Sequence, residues 1–213
     1  GVLLDTRGLK NIQWVNKAEG ILEAAGGVSI GELIEYGESE GWFPPVTPGT
    51  RHVTVGGAIA ADIHGKNHHV AGSFGEHVLL IDLVIPNGET LIISPRQNPQ
   101  LFWATVGGLG LTGLILKAQI RMLRVPGTQM MVTTSQTKNL DETMQAMKEA
   151  DSEYTYTVSW LDLMATGSRL GRGVITKGEH TAGSKKALSK PLGSVPNWWN
   201  INIVKPSTIR VFN

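Results

Sequence analysis

Cysteine is absent from all 213 residues. That excludes disulfides, thiolate metal sites and any cofactor attached through cysteine. An excess of charge of either sign is absent as well. Nineteen basic and 18 acidic residues leave a net charge of +1. Such a balance provides no electrostatic case for nucleic acid or for an anionic membrane surface. Long apolar runs are also missing. The longest, Val78–Ile85, is interrupted by Asp82, so no stretch approaches the length of a membrane span. The start, GVLLDTRGLK, has neither the basic opening nor the apolar middle of a signal peptide. Gly1–Asp5 reads instead as a strand entered halfway, and the expectation is a cytoplasmic chain. What remains is 41% hydrophobic, enough for one sizeable core or for one domain plus part of another.

Several elements are legible. Ser29 followed by Glu32 has the form of a capping box. Ile30, Leu33 and Ile34 follow at helical spacing, with Gly37 as a stop and Gly31 as a weakness in the first turn. Trp42–Pro48 holds three prolines and reads as extended or turned. Val78–Val84 and Thr90–Ile93 flank Pro86-Asn87-Gly88-Glu89, which predicts a hairpin. Pro99–Trp103 suggests a helical turn. Leu114–Leu123 alternates as a strand with one buried face. Met130–Thr134 and Tyr154–Leu161 read as strands, as does Gly171–Lys177. Leu140–Ala150 reads as an amphipathic helix with Met144 and Met147 on its apolar side. Gly178–Pro196, rich in small and polar residues, reads as a mobile surface loop. The pattern predicts an α+β fold with antiparallel content.

The chemistry concentrates in Thr47–His69, TPGTRHVTVGGAIAADIHGKNHH. This stretch carries four of the 26 glycines and four of the six histidines. Its only charged residues are Arg51, Asp62 and Lys66. Glycines admit a close neighbour to the main chain. The run Thr54–Ala60 is expected to present N–H groups suited to phosphate oxygens, with hydroxyls from Thr50 and Thr54. For Gly56-Gly57 alone, a tight turn between packed elements explains the pair as well. Neither the dinucleotide fingerprint after a strand nor the G-x-x-x-x-G-K-[ST] phosphate loop is present. His64, His68, His69 and His77 lack a carboxylate at H-E-x-x-H spacing, so no metal is expected. His64 and Lys66, at the end of a glycine loop, suit an anionic or redox-active ligand. Solvated surface side chains are an equal reading of the spacing.

These residues also carry a family likeness. PGTRHVTVGGAIAADIHGKNHH resembles the second cofactor-binding segment of the flavoprotein oxidases of the vanillyl-alcohol oxidase type, with their PCMH-type FAD-binding fold. Ala71–Val78, Leu101–Gly113 and Tyr154–Tyr156 with Trp160 and Asp162 are similar to further parts of that pattern. The likeness covers about residues 1–173. Within the family it is most similar to the branch that oxidises the C2 hydroxyl of decaprenylphosphoryl ribose.

The resemblance implies FAD held between two α+β subdomains, with residues 1–125 forming part of the FAD-binding domain. Residues 126–213 would begin a substrate-binding sheet domain. Gly49, Thr50, Thr54, Val55, Gly56 and Gly57 would line the pyrophosphate and ribose. Ala60, Ala61, Asp62, Ile63, His64 and Gly65 would run toward the flavin ring, and Gly113 and Ile115 would meet the adenine side. His64 and Lys66 would face the substrate pocket near the isoalloxazine as candidate catalytic residues. Lys66 and Trp160 would contact substrate, a sugar or lipid-linked sugar. A partner reductase would consume the product, and a lipid substrate leaves peripheral membrane association open.

The chain departs from the family in lacking the earlier loop of the type R-G-x-G-R-S-x-G-D and the last cofactor-binding segment. It therefore reads as the middle of a flavoenzyme. Ala61 stands where close relatives often have cysteine, and Leu109 where they usually have asparagine. A soluble sugar-lactone or alditol oxidase of the same superfamily is the alternative enzyme. A fragment that folds without FAD is the alternative of another class.

Overall fold

A computed structural model describes residues 4–183, 205 and 208–209. These residues divide into two compact units. The first runs to Thr128 and takes in His180–Ala182, and the second begins at Gln129.

The first unit is built on a five-stranded antiparallel sheet. Its strands are β1 (Ile12–Asn16), β2 (Ile21–Ala25), β4 (Val78–Val84), β5 (Thr90–Ile93) and β6 (Leu114–Arg121), in the order β1-β2-β6-β4-β5. The hairpin expected around Asn87-Gly88 is present, with Val84 opposite Thr90. One sheet face carries Leu22, Ala24, Ala118, Ile120, Ile81, Leu83 and Ile93, all buried. Three helices contribute to the same core: α1 (Ile30–Glu38), α2 (Val55–Ala60) and α4 (Pro99–Thr105). Phe74 and Phe102 are the largest side chains it encloses. A short α3 (His68–Ala71) and a two-stranded ribbon of β3 (Trp42–Phe43) and β7 (Leu123–Arg124) complete the unit.

The opposite sheet face is polar and internally paired. Glu23 on β2 accepts hydrogen bonds from Gln13 on β1 and from Lys117 and Gln119 on β6. Lys117 also meets Asp82 on β4 at 3.5 Å. Burial pushes the Glu23 carboxyl up, but the three donors outweigh it and hold the group below the usual carboxylate range. The hydrogen bond to Glu23 raises Lys117 in turn.

Helix α1 starts as its sequence dictates. The Ser29 hydroxyl accepts from the Glu32 N–H, and the Glu32 carboxylate accepts from the Ser29 N–H. Gly31 in the first turn leaves room for the Arg51 guanidinium, which would lie 2.6 Å from a Cβ there and is itself free to shift. Gly37 falls inside the helix, which runs on to Glu38.

The second unit is a three-stranded sheet of β8 (Gln129–Thr137), β9 (Tyr156–Leu161) and β10 (Gly173–Thr181), ordered β8-β10-β9, with α5 (Leu140–Glu153) packed on it. Helix α5 is capped by Asn139, whose side chain accepts from the Glu142 N–H. Its buried face is Thr143 and Ala150, not Met144, which is exposed. Strand β10 continues through Gly178 to Thr181. The loop expected from Gly178 is therefore strand at its start, and its part beyond Gly183 lies outside the described residues. Of the strand expected over Gly1–Asp5, only Leu4 and Asp5 are described, and neither is in a strand. Among the described residues, no helix is long and apolar enough to cross a membrane.

Candidate functional site

Helix α2 opens on Thr54, whose hydroxyl accepts from the Gly57 N–H at 3.1 Å. Its first turn is pressed against the end of β2. Val55 donates to the Val28 carbonyl and Gly56 to the Gly26 carbonyl. Ala58 donates to Thr54. The N–H groups expected to stand bare for phosphate oxygens are therefore engaged within the protein. The reason is packing: the absence of side chains at Gly26 and Gly56 lets two backbones meet, and the amides pair across the contact.

What the helix offers is a surface. Thr54, Gly56, Gly57 and Ala60 line one wall of a groove of about 290 Å³, with Gly113 and Ile115 on another. Six of the residues expected to hold a cofactor thus come together, although two of them, Gly113 and Ile115, lie more than fifty positions from the others. Thr6, Gly26, Leu109, Gly110 and Leu114 complete the lining. The backbone approach at Gly113 tolerates no side chain, because a Cβ would lie 2.3 Å from the Val84 carbonyl oxygen. No lining residue is charged, so the groove contributes shape, hydroxyls and methyl groups. Electrostatic neutralisation of a phosphate is not built into it.

The other expected residues are placed differently. Val55 is fully buried in the core. Gly49 and Thr50 are exposed ahead of the helix, and the Thr50 hydroxyl accepts from the His52 N–H at 3.4 Å. Ala61 caps the helix C-terminus and donates to Gly57. Ile63 donates to Ala58 and packs against the core.

Asp62 is a fastener. Its backbone is left-handed, with φ +43°, and its carboxylate accepts from the Gly75 N–H at 2.9 Å. Gly107 donates to Ile59 and Leu109 to Ala60. Three glycine-bearing segments, around residues 57, 75 and 107, are thereby tied together. Asp tolerates the left-handed region better than most residues and binds backbone locally.

Past this knot the chain turns outward. His64 bridges to Ser73 and stacks edge-on with His68, ring centroids 5.7 Å apart. His64 and Lys66 are exposed and do not line the groove. Gly65 is half-buried: a Cβ there would lie 2.9 Å from both Asn67 Oδ1 and the Thr47 carbonyl oxygen. Asn67 is only 2% exposed, and its Nδ2 donates to the Pro45 carbonyl at 2.8 Å. This residue, unnoticed in the sequence, anchors the loop that presents His64 and Lys66. Among the described residues, no group of three or more His, Asp or Glu is arranged to hold a metal ion.

Trp160 belongs to the second unit, 65% exposed on the β9–β10 hairpin. With Gln136, Thr137, Asp162, Arg172, Gly173 and Val174 it lines a cleft of about 390 Å³. Arg172 donates through Nε to Asp162 at 2.9 Å, which locks the hairpin end.

Residues 1–94 match the model of an FAD binding domain. Decaprenylphosphoryl-beta-D-ribose oxidase of Mycolicibacterium smegmatis is 41% identical over 180 residues, 84% of this chain and 39% of that protein. An uncharacterised protein of Streptomyces coelicolor is 38% identical over 172 residues, 79% of this chain and 46% of its own. Cytokinin dehydrogenase 2 of Arabidopsis thaliana is 30% identical over 112 residues, 53% of this chain and 22% of that enzyme. The chain spans less than half the length of each of these relatives. The likeness to the FAD binding domain model thus runs over residues 1–94, the stretch that carries Thr54, Gly56, Gly57 and Ala60 of the groove wall.

Proposed function

We propose that the chain is part of an FAD-dependent oxidoreductase that oxidises a secondary alcohol of a sugar, the C2 hydroxyl of a decaprenylphosphoryl ribose. The observation that carries the reading is the groove. Six cofactor candidates from two distant segments line one charge-free surface, in a chain 41% identical to an oxidase named for that substrate.

The residues fit FAD as a group that is flat, apolar at its rings and slender at its centre. Thr54 keeps a hydroxyl hydrogen to donate, and the floor at Gly57 and Gly113 has no side chain to obstruct a ligand. When bound, the flavin accepts the hydride. The chain's own residues bind and orient. His64 supplies an imidazole beside the path of the reacting carbon. Lys66 supplies a cation for the substrate's phosphate. Asn67 and Asp62 hold the segment between them in place. In the second unit, Trp160 supplies a wall for the sugar ring, and the exposed Met130 and Val132 suit a prenyl chain. A product ketone calls for a reductase as the next enzyme, and a lipid substrate calls for work at a membrane surface.

The test is a visible absorption titration of the purified chain with FAD, followed by anaerobic addition of a polyprenylphosphoryl ribose. A bound-flavin spectrum that bleaches with this substrate is the expected result. Bleaching only by a soluble sugar lactone or an alditol would transfer the chain to the soluble-sugar oxidases. No bound flavin at saturating FAD would overturn the reading for this chain.

A further inference from the structure

Leu109 is held in a conformation that leucine disfavours. Its φ is +52°, and Gly110 follows at +79°. A left-handed backbone crowds the Cβ of any residue but glycine against its own carbonyl, and such strain collects at ligand clamps. The position is enforced by neighbours: the Leu109 N–H donates to Ala60, and Gly107 just before it donates to Ile59. The chain is thus pinned to helix α2, the helix whose glycines wall the groove, at the residue itself and just before it. What the strain achieves is exposure. Leu109 is 75% accessible, an apolar side chain standing on the lip of a groove that has no charged residue. Leu111, two residues on, is 86% accessible, yet it does not line the groove.

We propose that Leu109 is an affinity-determining contact, a side chain held out over the groove to close on an apolar face of the bound dinucleotide. The inference rests on the FAD reading above and goes beyond it. It assigns the contact to a strained, solvent-facing leucine, where glycine-rich backbone alone was expected. A residue at this position that served only the turn would be glycine or asparagine, which adopt positive φ at less cost. Leucine sacrifices conformational ease and gains apolar area only when something covers it.

The two effects separate in an experiment. Leu109→Asn relieves the backbone and removes the apolar contact. Leu109→Met keeps the apolar contact, and Leu111→Ser removes a neighbouring exposed leucine as a control. FAD affinity is read by flavin fluorescence, and thermal stability is read without cofactor. The expected result is a Kd for FAD raised about tenfold or more in Leu109→Asn, a factor equal to about 1.4 kcal/mol. The melting point of the FAD-free Leu109→Asn chain stays level or rises by a few degrees. Leu109→Met and Leu111→Ser bind within about threefold of the parent. Equal FAD affinity of Leu109→Asn and the parent overturns the role of Leu109 and leaves the FAD reading standing. An equal loss of affinity in Leu111→Ser also overturns it, because any exposed leucine of the loop would then serve. Absence of saturable FAD binding by the parent chain overturns both.

Discussion

The two units each bury one face of a sheet, and they treat the other face in opposite ways. The first unit fills its far face with Gln13, Glu23, Asp82, Lys117 and Gln119, bonded to one another. The second leaves Val158, Trp160, Val174 and Thr176 on a face shared with Met130 and Val132, most of it partly or fully accessible. A paired polar face is finished: it needs only water beyond it. An accessible apolar face has area still to bury. The core follows the same division. Among the described residues, Ile175 alone of the largest fully enclosed side chains lies in the second unit. The first unit is therefore the rigid platform on which the groove is built, and the second presents a surface.

The comparison breaks most severely at the backbone contact under the groove. A Cβ at Gly26 would lie 2.2 Å from the Ile115 carbonyl oxygen. Gly26→Ala is expected to cost more than about 3 kcal/mol, since neither backbone can yield without disrupting the sheet. The check is urea unfolding, with loss of FAD binding in parallel. A cost below about 1 kcal/mol would mean the platform is softer than its packing indicates.

A smaller effect tests the finished polar face. Glu23 is 6% exposed and depends on Lys117 for its cation. Lys117→Met is expected to cost about 1–3 kcal/mol, because a buried carboxylate loses its charged donor. Its carboxyl should then titrate at higher pH, observable by NMR of the Glu23 side chain. Glu23→Gln in the same background should recover part of the loss.

At the next level down lies the cap of α1. Ser29→Ala is expected to cost about 1 kcal/mol. The hydrogen bond from Lys10, and then those from Ser29, hold the Glu32 carboxyl down at about 2, against an ordinary 4.5. A depressed folded-state value means that the contribution to stability is present above pH 4.5. It is lost as the pH falls through that value toward 2. Melting curves between pH 5 and pH 2.5 should show a shallower acid loss in Ser29→Ala than in the parent.

The smallest expected effect sharpens the contrast between units. Trp160→Ala should change stability by no more than about 0.5 kcal/mol, since the side chain faces solvent. The same substitution should weaken sugar-substrate binding. A large stability loss would show that the second unit's open face is part of a core.

Legibility in the sequence followed the range of the interactions. The β4–β5 hairpin needs only Asn87-Gly88 and flanking apolar residues, and α1 needs Ser29 and Glu32, so both could be read locally. Strand β2 escaped notice because β6, which pairs one of its edges, lies about a hundred residues away, and β1 pairs only with β2. Helix α2 was hidden because Gly56 and Gly57 argue against helix, while its hydrogen bonds to Gly26 and Val28 are tertiary. Four of the eleven groove residues were recognisable in Thr54–Ala60, and Gly113 and Ile115 were recognised with them. Thr6, Gly26, Leu109, Gly110 and Leu114 carried no signal that pointed toward Gly56. Asn67 looked like one more polar residue among exposed histidines, and only the Pro45 carbonyl beside it reveals an anchor.

By itself, then, the sequence determined the α+β class and the caps and turns. These rest on spacing within a dozen residues and on side chains that act on their own backbone. The tertiary structure alone decided that the α2 amides pair with Gly26 and Val28 and do not stand free for phosphate. It alone decided that Asp62 fastens the segment at Gly75 and that Leu109 is held out over the groove. Each of these depends on which distant backbone a glycine allows to come close, and one-dimensional spacing holds no record of that distance.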